Sequence, residues 1–505
     1  MSQGTVLMVQ GTASSAGKSF LVAGLCRLFE QEGVRVAPFK AQNMSNNAAV
    51  TFEGHEIGRA QAVQALAARL APHVDMNPVL LKPEADHRSQ VIVNGRPFAR
   101  LAAAQYQDAK AVIWGEVTAA LDRLRAVFDL VIIEGAGSPA EINLKARDIA
   151  NMRVALYAQA PVLLVGDIDR GGVFAHLFGT HHLLDPEEQR LVRGFIINRF
   201  RGDPSLLEPG LTDIEKLTGV PVVGVVPWVH QHGLPEEDAV ALERASDQPF
   251  VSGQLCVAVV RLPRISNFDD FDPLAAEQDI CLRYADGPEQ LTGADLIVLP
   301  GTKATRDDLA WLRERGFPEA IAAAQQTGVP VVGICGGFQM LGRRIEDPLG
   351  VEGPAGIVDG LGMLDVVTEF RRSKVTRQSV AHVVANTGVL NGAGGTAVAG
   401  YEIHAGITGI NPGEVALTGD DGGQPLGAIA NQGLAFGCYL HGLFANDAFR
   451  HAFLGRVAAL RGKPYRPSEI QSLDARFDRV ADVFRSSLDL PRIFALAGRE
   501  FRWDS

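Results

Sequence analysis

The segment Val329–Gly342, VPVVGICGGFQMLG, carries a cysteine where a nucleophile is expected. An apolar strand pattern runs into Gly333-Ile334-Cys335-Gly336-Gly337, and a helix-like FQMLGRR follows. Flanking glycines permit a strained turn that lifts the Cys335 sulfur above a sheet edge. A helix N-terminus behind the turn favours the thiolate, which is the reactive form. Cys335 is therefore read as the nucleophile that attacks a carbonyl. The remaining cysteines lack this setting. Cys26 falls in a helical stretch, Cys256 and Cys438 lie in apolar strands, and Cys281 has no CxxC partner. Five unpaired cysteines in a long chain imply reduced thiols and a cytoplasmic protein.

A thiolate nucleophile that expels a leaving group needs a proton carrier. His441, in GCYLHGLF, follows a strand of the same half of the chain and precedes a glycine. His404, in GYEIHAG, competes with it, although its alternating pattern suits a pocket wall. Gly301 and Thr302 follow the strand DLIVLPG. With Gly336, they offer backbone N–H groups suited to an oxyanion hole or to a bound substrate. His181 and His182 are adjacent, which is not metal-ligand spacing.

A second centre lies near the N-terminus. Gly11–Ser19, GTASSAGKS, ends a strand and opens a helix. Backbone N–H groups of such a loop, with the positive helix end, cradle phosphate oxygens. Thr12 and Gly17 belong to the loop, Lys18 reaches terminal phosphates, and Ser19 can ligate Mg²⁺. Five residues, where the usual motif has four, separate Gly11 from Gly17, and Thr12 stands where the first glycine would be. The run AQNMSNNAA offers Gln42, Asn43 and Asn46 either as amides for a polar substrate or as a turn-rich loop. In GDIDRGGVF, Asp167 and Asp169 suit Mg²⁺, a substrate amide or a structural cap equally.

These residues require strands that end where the ligands sit. Thr5–Gly11, Val34–Lys40, Ser89–Gly95, Asp129–Gly135, Pro161–Ile168, Gly194–Phe200 and Pro221–Pro227 read as buried strands between helical stretches. That alternation predicts a parallel sheet covered on both faces, with ligands at its C-terminal edge. After Pro227 the chain turns polar and acidic, and a second α/β series begins at QLCVAVV. The expected plan is a phosphate-loop α/β domain over 1–228, a linker over 229–251, a second α/β domain over 252–450 and a helical tail over 451–505 packed on that second domain. A net charge of −11 without a basic block disfavours nucleic acid and anionic membrane as partners. No apolar run approaches the roughly 18 residues of a membrane span.

Taken with its longer loop, the first half resembles the dethiobiotin synthetase family, whose members activate a carboxylate with ATP. The resemblance implies Glu134, in VIIEGAG, as a second Mg²⁺ ligand. It also implies that Asn198, in IINRF, reads adenine, although a structural role is as well supported. The second half resembles the class I glutamine amidotransferase fold, which implies L-glutamine as nitrogen donor. That family usually has H-x-E at its catalytic histidine, whereas Leu443 stands at the third position here. A subgroup sharing the H-G-L-F form works with a Cys–His dyad, and it contains the amidases of the cobalamin pathway.

The order of AQNMSNNA, NPVLLKP, GICGGFQMLG, GYEIHAG and HGLF resembles that pathway family along nearly the whole chain. In its closest-matching branch, the resemblance implies amidation of the b, d, e and g carboxylates of adenosylcobyrinic acid a,c-diamide. The reaction would use ATP and Mg²⁺, acyl phosphates, and ammonia carried along a protected path. The rival branch is cobyrinic acid a,c-diamide synthase. A rival of another class is a P-loop regulatory ATPase whose second domain only binds glutamine. Oligomeric state is open.

Overall fold

The computed structural model describes residues 3–85, 88–229, 232–235, 250–251, 253–421 and 423–501. Most of the expected linker, 229–251, lies outside the described residues. The chain divides into two compact units, 1–45 with 56–235 and 471–505, and 46–55 with 236–470.

The first unit is built on a six-stranded parallel sheet. Its order is Val222–Pro227, Val192–Phe200, Val162–Asp167, Thr5–Gly11, Leu130–Glu134 and Val36–Phe39. The β-branched runs are buried along almost their full length, as expected of strands covered on both faces. Thr5–Gly11 is central, so its C-terminal end lies between the ends of Leu130–Glu134 and Val162–Asp167. The helix Lys18–Gln31 leaves from that end and buries Leu21, Val22, Leu25, Leu28 and Phe29.

The expected Ser89–Gly95 strand is not part of this sheet. Arg88–Val93 pairs antiparallel with Val79–Ala85 and with Arg96–Ala102 in a separate four-stranded sheet. Only two residues separate each consecutive pair of these segments, and a parallel crossover needs a dozen or more.

The second unit holds an eleven-stranded mixed sheet. Ile280–Ala285, Leu255–Val260, Leu296–Leu299, Val331–Ile334 and Ala435–Cys438 form its parallel part in that order. The long strands Val367–Val383 and Ala397–Gly409 pair antiparallel. The helix Asp447–Arg461 also belongs to this unit.

The end of the tail corrects the sequence expectation. Leu473–Ser487 and Leu490–Leu496 belong to the first unit, not the second. Phe477, Val480, Ala481 and Phe484 recur at helical spacing and form one buried stripe. That stripe packs on Lys18–Gln31, where a Cβ on Gly24 would come within 2.2 Å of the Phe484 ring. Phe494 stacks on Phe29 at 4.2 Å, and buried Arg27 pairs with Asp474. Among the described residues, no helix is long and apolar enough to cross a membrane.

Candidate active sites

The elbow in the second unit has the geometry its glycines suggest. Val331–Ile334 ends at Cys335, whose φ of 50° and ψ of −106° lie outside the comfortable regions for an L-residue. Gly336–Leu341 is helical directly after it. A Cβ on Gly337 would sit 2.0 Å from the Leu299 carbonyl, so only glycine lets the helix approach the neighbouring strand end. The Cys335 N–H donates to the Cys438 carbonyl at 2.8 Å, and the thiol faces the Ile403 carbonyl at 3.5 Å.

His441 is 1% exposed and stacks on Tyr401, and the two residues exchange backbone hydrogen bonds. Its Nδ1 lies 2.7 Å from Asp270 Oδ2. The other carboxylate oxygen accepts from the Gly442 N–H at 2.7 Å. Burial opposes a charged ring here. The Asp270 carboxylate outweighs it, and with the nearby Cys335 sulfur pushes His441 up to about 10. A carboxylate that holds Nδ1 turns Nε2 outward as the working nitrogen.

A dyad without an orienting carboxylate was expected, and the structure corrects this. Leu443 is a core residue, 1% exposed, and the carboxylate comes instead from the turn Phe268–Phe271. Sequence reasoning missed Asp270, which lies 171 positions from its partner. The available signal was the acidic run NFDDFD shortly after the first strand of the second unit.

His404 is engaged elsewhere. Its ring nitrogens lie 2.7 Å from the Gly406 carbonyl and 3.1 Å from Glu402, and it stacks on Tyr439 at 3.7 Å. This agrees with a pocket wall. Burial would raise the Glu402 carboxyl, but hydrogen bonds from His404, Ser379 and Arg377 hold it down at about 2.

Gly301 and Thr302 lie against the elbow. A Cβ on Gly301 would come within 2.9 Å of His441 Cε1, and one on Gly336 within 3.2 Å of the Thr302 nitrogen. Their loop is fixed by Ser266 N–H to Gly301 O at 2.9 Å and Lys303 N–H to Arg264 O at 3.0 Å. Three backbone segments thus meet where an oxyanion could form.

In the first unit, Gly17 has φ 96° and opens the helix at Lys18. Lys18 Nζ folds back on the loop, donating to the carbonyls of Ala13 at 3.0 Å and Gly137 at 2.9 Å. Thr12 is tied to the neighbouring strand, its N–H donating to Val165 O at 2.9 Å. Ser19 Oγ donates to Glu134 Oε1 at 2.8 Å, and Lys40 Nζ donates to the same oxygen at 2.8 Å. Burial alone would raise the Glu134 carboxyl. Lys40, with hydrogen bonds from Gln64 and Ser19, holds it below the usual range. Lys40 and Gln64 were not singled out from sequence, because neither lies in the loop motif.

The other expected ligands divide. Asn198 is 2% exposed and donates to the Ala16 carbonyl at 3.0 Å, bracing the loop. Reading adenine would therefore fall to its Oδ1. Asp167 accepts from the Asp169 N–H at 3.0 Å and pairs with Arg199 at 2.8 Å. Its carboxylate is paired with Arg199, as that of Glu134 is with Lys40. Among the described residues, no group of three or more His, Cys, Asp or Glu is placed to hold a metal. Ser19 and Glu134 still suit Mg²⁺, which takes one or two protein oxygens and keeps water and phosphate for the rest.

Gln42 Oε1 accepts from the Tyr106 hydroxyl at 2.7 Å, and Asn43 is buried beside Gly58. Both belong to the first unit, whereas Asn46 belongs to the second. The Asn46 Oδ1 is buried without a hydrogen-bond partner.

Comparison with known proteins matches a domain family to each half of the chain. Residues 7–238 match the CobQ/CobB/MinD/ParA nucleotide binding domain, and residues 256–449 match the CobB/CobQ-like glutamine amidotransferase domain. A cobyric acid synthase of Chloroflexus aurantiacus is 52% identical over 96% of this chain and 98% of its own. One from Herpetosiphon aurantiacus is 52% identical over 98% and 99%, and one from Sorangium cellulosum 50% over 98% and 99%. With a nucleotide binding domain, a glutamine amidotransferase domain and relatives matched end to end, the chain belongs to the cobyric acid synthase family, ligases of cobalamin biosynthesis that use glutamine as amide-nitrogen donor.

Proposed function

We propose that this protein amidates the b, d, e and g carboxylates of adenosylcobyrinic acid a,c-diamide, using ATP, Mg²⁺ and glutamine. The family supports the substrate. The observation that carries the chemistry is the Asp270–His441 contact of 2.7 Å beside the strained Cys335.

At the glutaminase site, the Cys335 thiolate attacks the glutamine amide carbon. Backbone N–H groups of Thr302 and Gly336 receive the oxyanion, and His441 protonates the leaving nitrogen. Ammonia departs, a thioester remains, and water activated by His441 releases glutamate. Asp270 keeps the imidazole in the required tautomer throughout.

At the synthetase site, a substrate carboxylate oxygen attacks the γ-phosphorus of ATP, and ADP leaves. A carboxylate is a poor electrophile, and the acyl phosphate supplies a leaving group. Ammonia then attacks the acyl carbon, and inorganic phosphate departs as the amide forms. Lys18 and the loop from Thr12 to Gly17 hold the phosphates. Ser19 and Glu134 would hold Mg²⁺, which would neutralise charge on the transferring group. Asn198 Oδ1 would border the base, and Gln42 and Asn43 of the first unit are proposed to meet the corrinoid side chains. The domain functions follow: synthetase over 1–228 and amidotransferase over 252–450.

Mass spectrometry of the corrinoid product tests this reading. Four amides added to the a,c-diamide are expected. Two amides added to cobyrinic acid, and none to the diamide, would instead make the protein the a,c-diamide synthase.

A further inference from the structure

Gln64 lies on the helix Arg59–Ala67 and is 1% exposed. Its Nε2 donates to Glu134 Oε2 and lies 3.5 Å from the Ser19 carbonyl. Glu134 is ion-paired with Lys40 and accepts from Lys40 and Ser19 at Oε1, so the amide nitrogen of Gln64 faces its other oxygen and the amide oxygen faces away. That oxygen, Oε1, is buried without any hydrogen-bond partner. A buried acceptor beside a paired carboxylate and a loop serine is an incomplete arrangement. What completes it must be small and must donate a hydrogen bond.

We propose that Gln64 is a positioning residue for the divalent cation. Its amide nitrogen holds Glu134, and its amide oxygen accepts a hydrogen bond from a water bound to Mg²⁺. This rests on Ser19 and Glu134 being the cation's protein ligands. Mg²⁺ gives up its waters reluctantly, so it brings donors with it, and an acceptor just outside its ligands orients them.

The test is calorimetric binding of adenylyl imidodiphosphate to the full-length protein, in Mg²⁺ and in EDTA. The ratio of the two affinities measures how strongly cation and nucleotide are coupled. Gln64→Met, which keeps the volume and loses both hydrogen bonds, should lower that ratio by about 10- to 100-fold. Nucleotide affinity in EDTA should be unchanged. Gln64→Glu, which keeps an acceptor oxygen, should recover part of the ratio. Ser19→Ala separates the two ideas. If it lowers the ratio and Gln64→Met does not, the role of Gln64 is wrong and the cation site stands. If neither lowers it, the cation ligands themselves are misassigned. Equal losses in EDTA and Mg²⁺ for Gln64→Met would show a merely structural residue and overturn the proposal.

Discussion

Two strand-to-helix turns carry the chemistry, and they solve the same backbone problem differently. At the phosphate loop, the positive-φ residue directly before the helix is Gly17, at 96°, with Ser15 two positions earlier at 57°. At the elbow it is Cys335, at 50°. In the first, the backbone itself is the ligand, so the strained position can be glycine and costs little. In the second, the strained residue must carry the reacting atom and cannot be glycine. The strain is then held by the neighbours: Gly333 and Gly337 pack so closely that any Cβ would meet backbone within 2.7 Å and 2.0 Å.

The sharpest separation of the two turns is Cys335→Ala. Glutamine-dependent synthesis should fall by at least about 10⁴-fold, while synthesis from added ammonium persists. Loss of both activities would mean that the elbow does more than supply ammonia. Asp270→Asn comes next, with glutaminase kcat expected to fall about 10³-fold through loss of the imidazole's orienting partner. Its pH profile tests the electrostatics. With Asp270 present, His441 near 10 stays protonated through neutral pH. Without that carboxylate, burial acts with less opposition and lowers the value, so the alkaline limb of activity should move to lower pH. An unmoved limb would show that another group governs it.

Gly17→Ala should weaken nucleotide binding by about 10- to 100-fold, because a side chain at positive φ costs about 1–3 kcal/mol. The new Cβ would also meet Asn198 Nδ2 at 2.0 Å. Cys335→Gly should act in the opposite direction on stability. Compared with Cys335→Ala, it should unfold about 1 kcal/mol later, offset in part by glycine's greater unfolded-state entropy. A denaturant melt that ranks the alanine variant above the glycine one would argue against strain at the elbow.

Much of this was legible in sequence for a plain reason. Gly11–Ser19 and Val329–Gly342 are contiguous, and each motif's function depends on the local turn its residues must form. The strands flanking them were readable because buried parallel strands are continuous apolar runs. Ser89–Gly95 misled because an apolar run does not say which sheet it joins.

What stayed hidden depends on pairings far apart in the chain. His441 was found, but its carboxylate was sought two positions on, at Leu443, where the chain instead fills the core. Asp270 reaches the ring from 171 positions away, and no local pattern encodes that distance. Lys40 and Gln64 reach Glu134 from separate elements for the same reason. The helix Leu473–Ser487 announced its apolar stripe in sequence, but the tertiary structure chose its partner, since a stripe specifies burial and not against what. Sequence alone determined both reactive turns, because φ, ψ and side-chain type are local. The charge partners that complete each site, and the surface the tail covers, were decided only when distant segments packed together.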